Sequence, residues 1–192
     1  NFRAVHAAWD PPSIRELESH LGRRELESAH GVFLNDEFLL VSARRGHPGY
    51  DAIQNTLKGL EAPLPEGLAY ADKDGHPRRK IRLKWWLSPE KTSGFSEAAL
   101  GLLSAPDEVR RVLAGMPLPE TIRRQLPGVG GDESPVFMGH YWMDGRPALL
   151  SPKTACLDWS VALGGKLAAY RFDGEGELDE AKLHWVESRK LK

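Results

Sequence analysis

Short apolar runs that end close to a histidine occur at two places along the chain. Residues 136–138 are apolar and are followed by Gly139 and His140. Residues 2–8 are mostly apolar, carry His6 near their end and are soon followed by two prolines. Both patterns are typical of a short strand that stops at a turn, and a glycine allows a tight turn without a Cβ. We therefore predict two strands whose carboxyl ends each present a histidine.

Helical and strand patterns alternate over much of the remaining chain. Apolar residues recur at helical spacing in residues 13–21 and 28–40, and residues 105–114 open with a proline and two acids that favour a helix start. Residues 155–161 and 166–172 predict two further strands joined by a short connection. These elements predict an α/β protein with mixed sheets and with helices outside them.

The middle of the chain has a weaker periodicity. Between residues 44 and 95, glycines and prolines divide the sequence into short pieces. We predict that this part is a lid or insertion within one domain that spans residues 1–192. Inside it, residues 68–71 and 79–86 predict the strands of a hairpin, because the Asp-Gly pair at residues 74–75 is a strong turn signal.

The second strand of this hairpin alternates basic and apolar residues. Its basic side chains share one face of the strand: Lys80, Arg82 and Lys84. The apolar residues between them point to the opposite face. This alternation is the ordinary pattern of a strand with one solvated face, and it is equally the pattern of an anion-binding face. Both interpretations stay open at the level of sequence, as does the interpretation of His140 as an ordinary loop histidine.

Composition narrows the classes of function. The chain has 192 residues, of which 41% are hydrophobic and 28% charged, as is common in globular domains. A net charge of -1 gives no overall attraction to nucleic acid or to an anionic membrane, so a polyanion must be recognised by a local basic cluster. The single cysteine, Cys156, fits a reducing compartment. Without a long apolar run or a signal-peptide pattern, we expect a soluble, cytoplasmic protein with no membrane partner.

Three ordered landmarks resemble the calcineurin-like metallophosphoesterases, in particular the bacterial branch grouped with diadenosine tetraphosphatases and serine/threonine phosphoprotein phosphatases. The Val-His-Ala pattern of that family is similar to residues 5–7, and its later Gly-His pattern to residues 139–140. The strand, Asp, glycine pair and closing strand that follow in the family resemble residues 157–171. Residues 72–76 and 82–86 also look like this branch, so the resemblance covers most of the chain.

The resemblance implies a metallophosphoesterase-like β-sandwich flanked by helices, with a centre of two divalent ions of manganese, iron or zinc. Two ions about 3.5–4 Å apart lower the pKa of a bridging water, and the resulting hydroxide attacks the phosphate. By this resemblance, His6 and His140 are metal ligands. The intact parent would hydrolyse phosphate esters or phosphoanhydrides of the phosphoprotein or dinucleoside polyphosphate class.

The substrate-binding groups of such an enzyme are expected in the basic hairpin. Four cations are the candidates to anchor phosphate: Arg78, Arg79, Arg82 and Lys84. Arginine is the better fork for planar contacts with an anion. Trp85 is a candidate to stack on a nucleobase, as are Trp86 and Trp142, although tryptophans of this kind also serve as core residues.

The chain also departs from the family. Its first ligands come from upstream patterns that include Gly-Asp-x-x-Asp-Arg-Gly and Gly-Asn-His-Glu, and neither occurs here. We expect this chain to be the C-terminal portion of such an enzyme and to be inactive alone. The catalytic proton donor would then lie in a missing N-terminal half, which becomes a partner of the chain.

Two alternatives to an incomplete enzyme stay open. One is a non-catalytic module that binds a phosphorylated partner or nucleic acid through the basic hairpin. The other is a structural half that is stable only beside another chain. In that case the strand predicted at residues 2–8 has an unpaired edge, which favours strand addition or a dimer.

Overall fold

In the computed structural model, which describes residues 1–20, 36–71, 75–102 and 105–189, short helices and strands alternate along the chain. The strands are β1 (Arg3–Ala4), β2 (Glu61–Pro63), β3 (Tyr70–Ala71), β4 (Pro77–Arg78), β5 (Lys80–Leu83), β6 (Ala99–Leu100), β7 (Val136–Met138), β8 (Thr154–Cys156), β9 (Asp158–Trp159), β10 (Lys166–Tyr170) and β11 (Leu183–Glu187). The α-helices are α1 (Pro11–His20), α2 (Asp36–Ser42), α3 (Pro48–Lys58), α4 (Phe95–Ala98), α5 (Asp107–Ala114) and α6 (Glu120–Arg123). The predicted α/β class is confirmed as a mixed fold with several small sheets.

Three strands form the parallel sheet from which the two predicted histidines emerge. β7 lies in the middle and pairs in parallel with β1 on one side and with β8 on the other. Val136 of β7 lies opposite Arg3 and Thr154, and it is fully buried. Because parallel strands end at the same edge of a sheet, the residues that follow β1, β7 and β8 meet at one edge.

β1 is shorter than the strand predicted at residues 2–8. Beyond its end the amide of Ala7 donates to the carbonyl of Thr56 in α3 at 2.9 Å, so the backbone leaves the sheet to join a helix. Among the described strands β1 pairs only with β7, and its other side is a sheet edge. A dimer through that edge stays a prediction.

The C-terminal strands form an antiparallel sheet in the order β11, β10, β9. The strand predicted at residues 166–172 is confirmed as β10, which begins and ends within it. The strand predicted at residues 155–161 is divided instead, because β8 belongs to the parallel sheet and β9 to the antiparallel one. The division places Asp158 two residues after β8, at the start of β9.

The segment predicted to be a lid, residues 44–95, is part of the interior. Its strand β5 pairs with β2 and β6, and Ile81 and Leu83 pack in the same apolar core as Val136 and Met138 of the parallel sheet. The helix of this segment, α3, packs against α1. The segment therefore contributes residues to the core, and its role as a lid stays a prediction.

The predicted hairpin is also paired differently. β3 pairs with β4. β5 covers residues 80–83 of the predicted second strand, and it pairs with β2 and β6. Asp74 of the predicted turn lies outside the described residues. The Asp-Gly signal thus marks a short two-stranded hairpin, and β5 continues past it into another sheet.

The predicted helices are found near their expected positions. α1 occupies most of residues 13–21, and the Asp10 carboxylate accepts the amide of Ser13 at its start. α2 covers the end of residues 28–40, of which 28–35 lie outside the described residues. The helix predicted at residues 105–114 is confirmed as α5. None of the helices in the described ranges is long and apolar enough to span a membrane.

A cluster of ion pairs and hydrogen bonds supports the connection between β10 and β11, and it predicts a dependence of stability on pH. Glu175 accepts from the Tyr170 hydroxyl at 2.7 Å and pairs with the Lys182 ammonium at 3.0 Å. These contacts, that of Tyr170 foremost, lower the pKa of Glu175 from 4.5 to about 2. A carboxylate with a lowered pKa stabilises the fold above its unfolded pKa, and this contribution is lost as the pH falls from about 4.5 to about 2.

We expect the Glu175→Gln variant to lose this contribution at pH 7 and to show a smaller decline in the free energy of unfolding across that pH window than the wild type. Urea unfolding at pH 7, 4 and 3 measures the difference. Glu177→Gln removes an exposed carboxylate two residues away and is the control. Equal pH profiles for Glu175→Gln and the wild type would show that the cluster contributes nothing.

Candidate metal centre and cationic cleft

His6 and His140 lie side by side at the carboxyl edge of the parallel sheet. Each follows its strand by two residues, His6 after β1 and His140 after β7. His6 Nε2 lies 3.2 Å from His140 Nδ1, and the two ring centroids are 5.0 Å apart. The structure thus brings together the two histidines that the sequence singled out, although they are 134 positions apart in the chain.

The tight turn of the backbone is made by His140 and not by Gly139. His140 has a φ of 68°, in the left-handed region that few non-glycine residues adopt. Gly139 has no positive φ, and a Cβ on it would meet Asp158 Cβ at an ordinary 3.6 Å. The expectation that Gly139 supplies the turn is therefore wrong. Trp142 also has a positive φ, of 49°, so two strained residues lie close together, as is common at functional sites.

Asp158 holds this strained turn in place. One oxygen of its carboxylate accepts the amide of Trp142 at 3.3 Å, and the other accepts the amide of Ser160 at 3.2 Å. Its own carbonyl accepts the amide of Met143 at 3.0 Å. Asp158 therefore ties the loop after His140 to the start of β9. Sequence reasoning treated Asp158 only as a landmark, but its position two residues after β8 matches that of the histidines after β1 and β7.

The surroundings of His140 favour its neutral form. Burial lowers the pKa of His140 below its usual 6.5, and the nearby Arg82 guanidinium and His6 lower it further, against an opposing effect of Asp158. His140 Nε2 is buried and has no hydrogen-bond partner within the described parts of the chain. A neutral imidazole is suited to bind a metal ion. The nitrogen of His140 that faces His6 is Nδ1, and the unsatisfied Nε2 is on the other side of the ring.

The separation of the two histidines fits neighbouring ligands on one ion. Two nitrogens bound at about 2.0–2.1 Å, with a roughly right or tetrahedral angle between them, would be about 2.8–3.4 Å apart. The observed 3.2 Å between His6 Nε2 and His140 Nδ1 lies in that range. No group of three or more His, Cys, Asp or Glu residues that could hold an ion occurs in the described ranges. Within those ranges the two histidines are therefore not joined by a third residue of these types.

The predicted cations line a cleft of about 820 Å³ beside this pair. One wall is formed by the cationic row, which consists of Lys80 and Arg82 of β5 and of Lys84 directly after it. Tyr141 and Trp142, which directly follow His140, form another part of the lining. The loop that carries the second histidine is thus also a wall of the cleft.

The four predicted phosphate anchors are not all in this cleft. Arg78, Arg82 and Lys84 line it, whereas Arg79 does not. Arg79 lies between β4 and β5, and its carbonyl accepts the amide of Leu64 at 2.9 Å. Lys80, which was not among the predicted anchors, lines the cleft. The alternation along β5 could have identified it, since Lys80 shares the parity of Arg82 and Lys84.

Trp85 packs in the core and does not line the cleft. Its side chain is fully buried, and its indole nitrogen donates to the Ala7 carbonyl at 3.1 Å. Trp86 is 5% exposed and packs edge to face against Trp85. Trp142 is 55% exposed and lines the cleft. Of the three tryptophans that the sequence offered for stacking, only Trp142 presents its ring to a ligand.

Comparisons with known proteins assign no family. No family model matches the chain, and no curated protein or solved structure matches it. The features of this chain that bear on its function are those of the site itself. It consists of a close histidine pair at the edge of a parallel sheet, a buried imidazole nitrogen without a partner, and a cationic cleft next to both.

Proposed function

We propose that this chain is the C-terminal portion of a metal-dependent phosphoesterase and that His6 and His140 supply two ligands of its metal centre. The observation that carries the proposal is the 3.2 Å separation of His6 Nε2 and His140 Nδ1, next to Tyr141 and Trp142 in the wall of a cationic cleft. Hydrolysis of a phosphate ester requires cations that hold the phosphate oxygens and a metal ion that activates water, and this edge of the sheet offers residues for both.

Arg82 is the cation best placed to hold the phosphate next to the ligands. It lines the cleft, and it is close enough to His140 to lower the pKa of that imidazole. A guanidinium binds two phosphate oxygens at once, which orients the ester as well as neutralising it. The neutral state of His140 then has a role, because only the neutral imidazole binds a metal ion.

The remaining ligands and the proton donor are proposed to lie in an N-terminal half outside this sequence. The complete centre would hold two divalent ions of manganese, iron or zinc, and a metallophosphoesterase-like β-sandwich would include the parallel sheet. Phosphoproteins and dinucleoside polyphosphates are the substrate classes that the resemblance implies. The ions would supply an activated water, whereas this chain would supply two ligands and the cationic wall.

We expect the 192-residue chain alone to hydrolyse p-nitrophenyl phosphate little faster than buffer does, with or without manganese. A polypeptide extended by its upstream coding sequence should hydrolyse it in a manganese-dependent reaction that the His6→Asn and His140→Asn variants lose. His184→Asn, on the exposed face of β11, is the matched control and should keep the activity.

One result would contradict the proposed N-terminal half, and another would contradict the proposed activity. Rapid turnover by the 192-residue chain, lost in His140→Asn, would show that the centre is complete without an N-terminal half. An upstream sequence without the Gly-Asp-x-x-Asp-Arg-Gly and Gly-Asn-His-Glu patterns, together with no metal-dependent turnover, would exclude the phosphoesterase.

A non-catalytic binding module is the second candidate, and the incomplete ligand set within the described ranges favours it. In that case the cationic cleft would bind its partner without turnover. Metal analysis separates the two functions, since a binding module has no need to retain a metal ion through His6 and His140.

A further inference from the structure

The cationic row takes alternate positions of the chain: Lys80 and Arg82 lie in β5, and the amide of Lys84, just after it, continues the pairing by donating to the Ala98 carbonyl at 2.7 Å. Lys80, Arg82 and Lys84 line the cleft, while Ile81 and Leu83 between them are buried in the core. Because a strand rises about 3.4 Å per residue, alternate side chains are spaced about 7 Å apart along it. A rigid row of charges at such intervals matches a linear polyanion better than it matches a single phosphate.

The charges of this row are not neutralised by ion pairs within the described residues. Lys80, Arg82 and Lys84 take part in none of the ion pairs found there. Glu61 lies opposite Arg82 in the sheet, and Asp144 also lines the cleft, but neither forms an ion pair with the row. Unpaired cations along one wall of a cleft focus a positive potential on whatever enters it.

An exposed aromatic ring faces the same cleft. Trp142 is 55% exposed, and the Asp158 carboxylate accepts its backbone amide in a strained conformation. A fixed backbone that presents an indole to solvent provides a platform for stacking. Tyr70 also lines the cleft, from the edge hairpin. A positively charged groove with aromatic platforms is the arrangement by which proteins bind single-stranded nucleic acids.

From these observations we infer that the cleft binds single-stranded nucleic acid, with consecutive phosphates along the cationic row and a base stacked on Trp142. A phosphorylated peptide has one dianionic group on a neutral backbone, so it would leave most of the row unused. The inference deepens the proposed function and rests on it in one respect: a terminal phosphate of such a strand would be the group that is hydrolysed. Binding itself needs no turnover.

The first test is the salt dependence of binding to the 192-residue chain without added metal. The probe is a ten-nucleotide oligothymidylate with a 3′ fluorescein, followed by fluorescence anisotropy. Each phosphate contact with a single strand contributes a slope of about -0.7 in log K against log salt concentration, so three contacts give about -2. Lys80→Gln and Lys84→Gln should each make the slope less negative by about 0.7. Arg79→Gln makes the same charge change outside the cleft and should leave it unaltered.

The second test concerns the aromatic platform. Trp142→Ala should weaken oligothymidylate binding about 5- to 100-fold, the range typical of losing one stacked base, and Trp142→Phe should recover most of the loss. An abasic strand of the same length measures the contribution of base stacking to binding by the wild-type protein, so this test does not depend on whether a variant folds. Wild-type protein should bind the abasic strand more weakly by a similar factor.

Several outcomes would overturn the inference. Among them are equal binding of the abasic strand and oligothymidylate, equal competition by a phosphoserine decapeptide, and equal weakening by Arg79→Gln and Lys80→Gln. If the extended polypeptide hydrolyses p-nitrophenyl phosphate but the chain binds no oligothymidylate, the inference fails and the proposed function stands. If the chain binds the oligonucleotide as described and no metal-dependent turnover is found, the proposed function fails and the inference stands.

Discussion

Replacing either histidine of the pair is expected to lower the affinity of the 192-residue chain for Zn²⁺ at least tenfold. His6 Nε2 and His140 Nδ1 are 3.2 Å apart, as expected for neighbouring ligands on one ion. Within the described ranges no third ligand stands close enough to compensate for the loss of one. Changes in the surroundings of a metal site already cost about 10- to 100-fold in affinity, so the loss of a ligand should cost no less.

Asparagine is the appropriate replacement at His140. Its φ of 68° would strain most side chains, whereas asparagine adopts the left-handed region with less cost. His140→Asn therefore removes the imidazole while it preserves the turn that Asp158 holds. His6→Asn gives the corresponding change two residues after β1, where φ is not positive.

Isothermal titration with Zn²⁺ at pH 7.5 measures the effect, and the thermal midpoint of each variant shows whether it is folded. His184→Asn serves as the control, since His184 is exposed on β11 and lies opposite Ala169 in the sheet, away from the pair. Unchanged zinc affinity in folded His6→Asn and His140→Asn would exclude the pair as ligands. The binding-module function would then be the better account of the chain.

The sequence could predict that the two histidines lie close together. It could not predict the shape of the turn at His140. A histidine shortly after each of two short apolar runs indicates two strand ends, and parallel pairing brings such ends to one edge. The sequence placed the tight turn at Gly139, since glycine is the residue that turns without strain. The conformation of His140 depends on Asp158, which accepts the amide of Trp142 from 16 residues away. Such a tether has no local signal.

In the hairpin region, too, the local pattern predicted which face of a strand is buried but not which strands pair with it. The alternation along β5 correctly separated the cleft face from the core face, and it also explains the burial of Trp85, which has the parity of Ile81 and Leu83. It carried no information on the partners of β5. Those are β2, which precedes the hairpin in the chain, and β6, which follows it. Weak periodicity also occurs where very short strands share one core, so the lid stays a prediction.

The substitution with the largest expected effect on stability is Gly165→Ala. A Cβ at Gly165 would overlap the carbonyl oxygen of Trp159 and lie 2.8 Å from that of Ser160. Neither oxygen belongs to a flexible side chain that could move aside. The amide of Gly165 donates to the Ser160 carbonyl at 2.9 Å, and its carbonyl accepts the amide of Ser188 at 2.8 Å, so the backbone is held on both sides. We expect a loss of about 3 kcal/mol or more in the free energy of unfolding, at the upper end of overpacking effects.

Gly176→Ala is the matched control for Gly165→Ala. A Cβ at Gly176 would meet no atom within 4 Å, and its φ is not positive, so we expect a change within about 0.5 kcal/mol. Urea unfolding of the two variants and the wild type measures the difference. Similar values for both variants would show that β9 and β10 separate at little cost. Because β9 begins at Asp158, which fixes the loop after His140, a Gly165→Ala protein that still folds should also bind Zn²⁺ more weakly than the Gly176→Ala protein.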